Sequence, residues 1–330
     1  MSNVIKVGLA LLIVGMIGTV VILSQGAAPL LKRIKADAKP IHIQKISNGK
    51  ETKNIKINSE LSDIQILESN SDQVKMELKG SIMKKDQVDL ITLSEGENLV
   101  VQVDYTEDKG LKFDFGVNQN LELKVFLPKK AFETVRLQTV NGEIKSDLLL
   151  QANQIEIETT NGALALSNLQ AKKIEGTSQN GDIGFKQVKA ESLNMQTVNG
   201  EIHLQDYQGH QVTGQSSSGA ININKVDATL DLESTNGTIQ VDQLTQFKGK
   251  NSVQSTNGDI TIGAITPPTV LQVSLDSLVG NIKSVYPISS TQITNSEDAP
   301  SHSIKGSIGQ VKPDSPSLDV ITTNGDIRLK

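Results

Sequence analysis

Five acidic residues recur at one place in a repeating phrase: Glu143, Asp182, Glu201, Asp259 and Asp326 each follow a glycine. Asp182 and Glu201 stand one repeat apart. If each repeat forms one rung of a parallel stack, their carboxylates would lie about 5 Å apart, the separation of a retaining glycosidase pair or of two ligands to a divalent cation. Such chemistry needs company, and no Arg or Lys cluster, aromatic platform or long catalytic loop accompanies the pair. The expectation is a solvated corner whose acidic residues keep the stack soluble. His42, His203, His210 and His302 are scattered, and only His203 and His210 share a repeat, so no metal site is assigned to them. A hydroxyl stands three residues before each glycine, at Thr139, Thr159, Ser178, Thr197, Ser216, Ser234, Ser255, Ser277 and Thr322. Equivalent hydroxyls in every repeat point to groups that satisfy turn amides, not to a nucleophile. No catalytic, cofactor-binding or metal-binding residue is assigned. The alternative from the enzyme class, a polysaccharide lyase or glycoside hydrolase on a β-helix, is disfavoured by the same absences.

The glycines that set this frame are Gly142, Gly162, Gly181, Gly200, Gly219, Gly237, Gly258, Gly280 and Gly325, spaced by 20, 19, 19, 19, 18, 21, 22 and 45 residues. A period in this range means one structural rung per repeat. Two residues after the glycine come Ile144, Leu164, Ile183, Ile202, Ile221, Ile239, Ile260, Ile282 and Ile327, with polar residues such as Lys145, His203 and Arg328 next in line. The same alternation runs upstream, through Val135, Ile155, Ile174 and Leu193 seven before the glycine. Period-2 alternation of this kind is the signature of half-buried strands. A third inward column is expected seven after the glycine, at Leu149, Leu169, Val188, Tyr207, Val226, Leu244 and Ile265.

The corner itself reads Asn141-Gly142, Asn161-Gly162, Asn180-Gly181, Asn199-Gly200, Asn236-Gly237, Asn257-Gly258 and Asn324-Gly325. Asn and Gly tolerate φ > 0, which suits a sharp turn between strands. Stacking would place the asparagines about 4.8 Å apart, close enough for a side-chain amide ladder. An outward column four before the glycine, including Gln138, Glu158, Gln196, Gln215, Glu233 and Gln254, forms a flat polar face that a repetitive wall polymer could read by hydrogen bonds. Ordinary solvation of an outer sheet face is the competing reading. The terminal strand, Asp326 to Lys330, is expected to offer an uncovered edge for self-association or partner docking.

The fold class expected is therefore all-β: a single-stranded parallel β-solenoid of about ten rungs preceded by one N-terminal transmembrane helix. Residues 46–130 read as degenerate rungs, with Ser62 in the glycine's place, followed by regular rungs at 131–290, a loop at 291–317 and a terminal rung at 318–330. Aromatics are only 3% of the chain and Trp is absent, which suits a narrow aliphatic core and excludes a groove of stacked aromatics. A net charge of −5 with interspersed signs excludes a phosphate-backbone partner such as nucleic acid. The absence of cysteine excludes disulfides and thiolate metal sites.

Val7 to Leu31 carry no charge, and Val7 to Leu23 are almost wholly apolar, about 26 Å of helix. A short cytoplasmic N-terminus at 1–6, a transmembrane helix at 7–28 and a linker at 29–45 follow from this. The small residues Gly26, Ala27 and Ala28 keep a cleaved signal peptide open as the alternative. Lys32, Arg33 and Lys35 would hold the solenoid in the cytoplasm by the positive-inside rule, yet long domains translocate largely regardless of charge. An extracytoplasmic solenoid on a single-pass cell-membrane anchor is expected, with the bilayer as one partner and a wall polymer or envelope protein as another.

The repeated Asn-Gly-Asp/Glu-Ile phrase, together with Ser303 to Gly309 followed by Leu318 to Ile327, resembles a bacterial family of adhesin-like Asn-Gly repeat β-solenoids. That family includes the membrane-anchored LiaG-like proteins of Gram-positive envelope-stress operons. The resemblance covers roughly residues 40–330 and implies an extracytoplasmic, surface-associated, non-catalytic role. It brings no catalytic residues with it.

Overall fold

The computed structural model describes residues 38–107, 120–294 and 301–330. The expected cytoplasmic N-terminus and transmembrane helix lie outside the described residues. Among the described residues no helix is long and apolar enough to cross a membrane, and every regular element is a strand.

The regular rungs follow directly from the alternation. Strands β11 (Leu164–Ser178), β12 (Ile183–Thr197), β13 (Ile202–Ser216) and β14 (Ile221–Ser234) stack parallel and in register, so that Ile183 meets Ile202 and Ile202 meets Ile221. Each Asn-Gly corner divides the chain into a strand before it and a strand after it. The strands before the corners stack into one face of the rack, those after into the other, and the inward side chains of both meet as a continuous aliphatic core. Volume is traded across the core within a rung: Gly176 has no side chain where its ladder neighbours have Ile157 and Met195, and Phe185, on the other side of the same corner, fills the space, since a Cβ on Gly176 would stand 2.6 Å from the Phe185 ring. Asn251 breaks the apolar column yet is buried, because its Oδ1 accepts from the Leu230 N–H and its Nδ2 donates to the Lys248 and Ser317 carbonyls.

A second corner lies six residues after five of the glycines, Gly162, Gly181, Gly200, Gly219 and Gly237. Asn168, Gln187, Asp206, Lys225 and Gln243 all adopt φ between 53° and 59° there. Asn and Asp enter this region readily, whereas Gln and Lys do so at a cost that the stacking on either side must offset. The third inward column follows this corner at Leu169, Val188, Tyr207, Val226 and Leu244, all buried. Its two outer members differ from expectation. Leu149 is 43% exposed because Leu150, one residue later in a 20-residue repeat, pairs with Leu169 instead. Ile265 is 57% exposed because a register shift sets Ala264 opposite Leu244.

Sequence order and spatial order part company at both ends. At the N-terminal end, β2 (Asn54–Ser59) and β3 (Ser62–Ser69) stack directly on β8 (Ala131–Thr139) and β9 (Ile144–Ser146). The chain between them does not form intervening rungs. Instead β6 (Asn98–Thr106) and β7 (Asn120–Pro128) lie on the far side of β2 and β3. That end is closed by antiparallel strands: β5 (Gln87–Glu95) on β6, and β4 (Gln73–Met83) on β7 with β1 (Ala38–Asn48) beyond it. Residues 38–45, expected in a linker, thus form most of β1.

The C-terminal end repeats the device. Strands β22 (Ser317–Asn324) and β23 (Ile327–Leu329) are inserted between the rung of β16 (Lys250–Asn257) and β17 (Ile260–Ala264) and the rung of β18 (Leu271–Val279) and β19 (Ile282–Ser284). An antiparallel pair, β20 (Ser289–Thr294) and β21 (His302–Ile308), then covers β18. The rack is therefore not wholly parallel, and the expected loop at 291–317 carries β21 and the end of β20. The terminal strand is paired on both sides, so the uncovered edge expected there is not present.

Candidate functional site

The corner was the first candidate, and its chemistry is absorbed by stacking. The glycine requirement has a different cause from the one expected. Of the corner glycines only Gly280 has φ in the left-handed half; the others are needed because each sits against the carbonyl of the glycine one rung away. A Cβ on Gly162 would lie 1.9 Å from the Gly142 oxygen, and one on Gly181 equally close to that of Gly162. Gly200, Gly237, Gly258 and Gly325 meet the same obstacle, and Gly142 meets the Ser62 carbonyl. Those carbonyls are satisfied by the hydroxyl column of the next rung: Thr159 Oγ1 donates to Gly142 O, Ser178 Oγ to Gly162 O and Thr197 Oγ1 to Gly181 O, each at 3.0 Å. The hydroxyls thus act chiefly between rungs, although Ser216 Oγ also accepts from the Gly219 N–H within its own bend.

The asparagines form the ladder expected of them. Asn161 Nδ2 donates to Asn141 Oδ1, Asn180 to Asn161 and Asn199 to Asn180, at 2.7 to 2.8 Å. Ser218 interrupts it, and it resumes from Asn236 through Asn257 to Asn324. The acidic residues after the glycine are also engaged: Asp182 Oδ1 accepts from the Glu201 N–H at 2.8 Å, and Asp259 Oδ1 from the Asp326 N–H at 2.9 Å. That amide, aided by the Arg328 guanidinium, holds the Asp259 carboxyl below its ordinary range. Glu201 pairs with His203 at 3.0 Å on the surface. The two carboxylates first considered as a catalytic pair therefore have separate partners. Among the described residues no three His, Asp or Glu side chains gather as metal ligands would.

The outward column keeps polar groups in reach of solvent. Gln138 Nε2 donates to Glu158 Oε2 at 2.7 Å, Gln196 Nε2 donates to Gln215 Oε1 at 3.1 Å, and Gln215 Nε2 in turn donates to Glu233 Oε2 at 3.4 Å. Gln254 turns to Ser252 in its own strand. Beyond it the column is broken, because the inserted rung puts Ile321 opposite Gln254, ahead of Asp276. Beside this column runs a shallow trough. One stretch, of about 410 Å³, is lined by Gln196, Gln215 and Glu233 on one side and by Val198, Ser217 and Thr235 on the other. A second stretch, of about 320 Å³, continues the line past Gln138, Val140, Glu158 and Glu60. The wall two residues before the glycine, with Val140 and Val198 both exposed, went unassigned in the sequence. Its signal was the same alternation, carried one step further out.

Elsewhere a charged cluster marks the N-terminal cap. Glu77 on β4 is nearly buried and is held by Lys79 Nζ at 3.0 Å, His42 Nε2 at 3.1 Å and Gln44 Nε2 at 2.6 Å. These bonds, Lys79 first, lower its carboxyl to about 2.

The chain is similar to several solved proteins at low sequence identity. A solved protein from Parabacteroides distasonis ATCC 8503, named as a candidate lipid-binding protein, is 14% identical over 88% of this chain and 97% of that one, with a TM-score of 0.47. A candidate adhesin from Bacteroides fragilis NCTC 9343 is 15% identical over 88% and 97%, with a TM-score of 0.44. A candidate cell-adhesion protein from Clostridium sporogenes ATCC 15579 is 12% identical over 88% and 99%, with a TM-score of 0.33. No curated protein matches the sequence. The model of the Toastrack DUF4097 family matches residues 52–330, most of the chain, and the protein belongs to that family.

Proposed function

We propose that the protein is a membrane-anchored, adhesin-like interaction module of the bacterial cell envelope, non-catalytic, with the rack on the outer side of the membrane and an accessory role in the response to envelope damage, as in LiaG-like proteins. The observation that carries this reading is the trough beside Gln196, Gln215 and Glu233. Its amides bond along the row, and each donating Gln amide has a second N–H for a ligand. A polymer that advances by about one rung per unit would meet the same groups at each step. Glu158, Glu233 and Glu60 make the lining acidic, which favours an uncharged or cationic glycan over a polyphosphate such as teichoic acid. The apolar run Val7 to Leu23 supports the anchor.

Sedimentation of the purified protein with isolated cell walls, before and after removal of teichoic acid, tests this. Retention on both preparations is expected, with loss in the Gln196→Lys, Gln215→Lys variant. Retention indifferent to that double substitution removes the trough from the proposal. Turnover of a wall polymer, abolished by Asp182→Asn or Glu201→Gln, would instead favour the glycoside hydrolase or lyase reading.

A further inference from the structure

The rung of β22 and β23 follows β21 in the chain but lies on the opposite side of β18 from it. Both of its neighbours, β16 with β17 and β18 with β19, precede it in sequence. In chain order it is therefore an insertion between two earlier rungs. Its contacts there are the ones any rung makes: Thr322 Oγ1 donates to Gly258 O at 3.0 Å, Asn324 Nδ2 to Asn257 Oδ1 at 2.7 Å, and Ser277 Oγ to Gly325 O at 2.9 Å. Leu318, Val320, Ile327 and Leu329 complete the core and are buried.

The tether does not bind the rung to its own copy by strain. Residues 309–316 can span about 26 Å, whereas passing from β21 across β18 to β22 needs two strand spacings, about 10 Å. Gly309 sits at φ +67° at the start of this tether, and its far end is held by Ser317 N–H on Gly249 O and by Gln272 N–H on Pro316 O.

We propose that the gap between β16/β17 and β18/β19 is a strand-acceptor site that takes residues 317–330 of a second copy as well as its own, so that copies associate by exchanging this rung. Every backbone and side-chain bond of the rung is regained in the exchange, so concentration decides between the two forms. Release of a seated rung means breaking ladders on both sides. Exchange is accordingly set during assembly, when the gap exists and the rung has not yet entered.

The cysteine-free chain makes a clean reporter. Thr261 on β17 and Arg328 on β23 are register partners, at a spacing that suits a disulfide. Full-length Thr261→Cys and Arg328→Cys variants are unfolded in denaturant, mixed, and refolded together under mild oxidation. A chain carrying both substitutions must crosslink within itself, which verifies that the variants fold and pair as in the structure. The mixture is expected to give covalent heterodimer at about tenfold the level of a Lys145→Cys and Arg328→Cys control mixture, rising with concentration. Heterodimer no higher than that control, with the doubly substituted chain crosslinked internally, overturns the proposal.

Discussion

At the corner a single carbonyl decides which residue is allowed. A Cβ on Gly200 would lie 2.1 Å from Gly181 O, whereas one on Gly184, three residues after that same Gly181, would meet nothing closer than 3.7 Å. Gly200→Ala should therefore cost about 1–3 kcal/mol through forced separation of two rungs, while Gly184→Ala should be near neutral, as read by urea unfolding. The hydroxyl above it is the second half of the same contact. Thr197→Val leaves Gly181 O without its donor in a buried bend and should cost about 1–3 kcal/mol, with Thr197→Ser restoring most of the loss. Glu77 sets a pH dependence with a definite sign. Its folded carboxyl lies at about 2 against an ordinary 4.5, so its ion pairs contribute fully above about 4.5 and are lost as pH falls from there toward 2. Glu77→Gln should flatten that part of the stability curve, followed by tryptophan-free far-UV circular dichroism. The importance of the corner glycines was legible in the sequence, but its cause was not. A φ > 0 turn and a close approach between distant segments leave the same mark, a glycine, on a single chain.

The strands were legible for a plain reason. Inward and outward residues alternate along them, and a two-sided rack makes that alternation nearly unbroken from Ile144 to Ile262. Alternation says nothing about direction or neighbour, however. Val74 to Leu78 looks like a rung and is an antiparallel cap, because parallel and antiparallel strands bury every second residue alike. Ser62 and Gly142 are 80 residues apart and one rung apart, since the segment between them turns outward and away. Packing across the core joins the two faces of a single rung. Phe185 occupies the space beside Gly176 from the other side of their shared corner, so Phe185→Ala should cost about 3–5 kcal/mol. A denaturant midpoint unchanged by that substitution would mean that the two faces do not share volume as described.

Across the whole molecule, both ends of the rack are finished in the same manner. A rung is inserted one place inward, and antiparallel strands close most of the exposed edge beyond it. The ends are thereby protected from edge-to-edge pairing, which a bare parallel stack would invite. Corners, hydroxyls and inward columns are occupied in holding the stack, and the groups that remain available lie on the outer faces. The trough was only half legible, because its polar column recurs in the sequence whereas its second wall, at Val140 and Val198, is created by the turn of the chain at the corner. The most direct test pairs stability with wall binding in the Gln196→Lys, Gln215→Lys variant. The expected result is an unfolding midpoint close to that of the unsubstituted protein together with loss of sedimentation with isolated walls. Undiminished binding with the trough altered would contradict the central claim that interaction resides on this outward face.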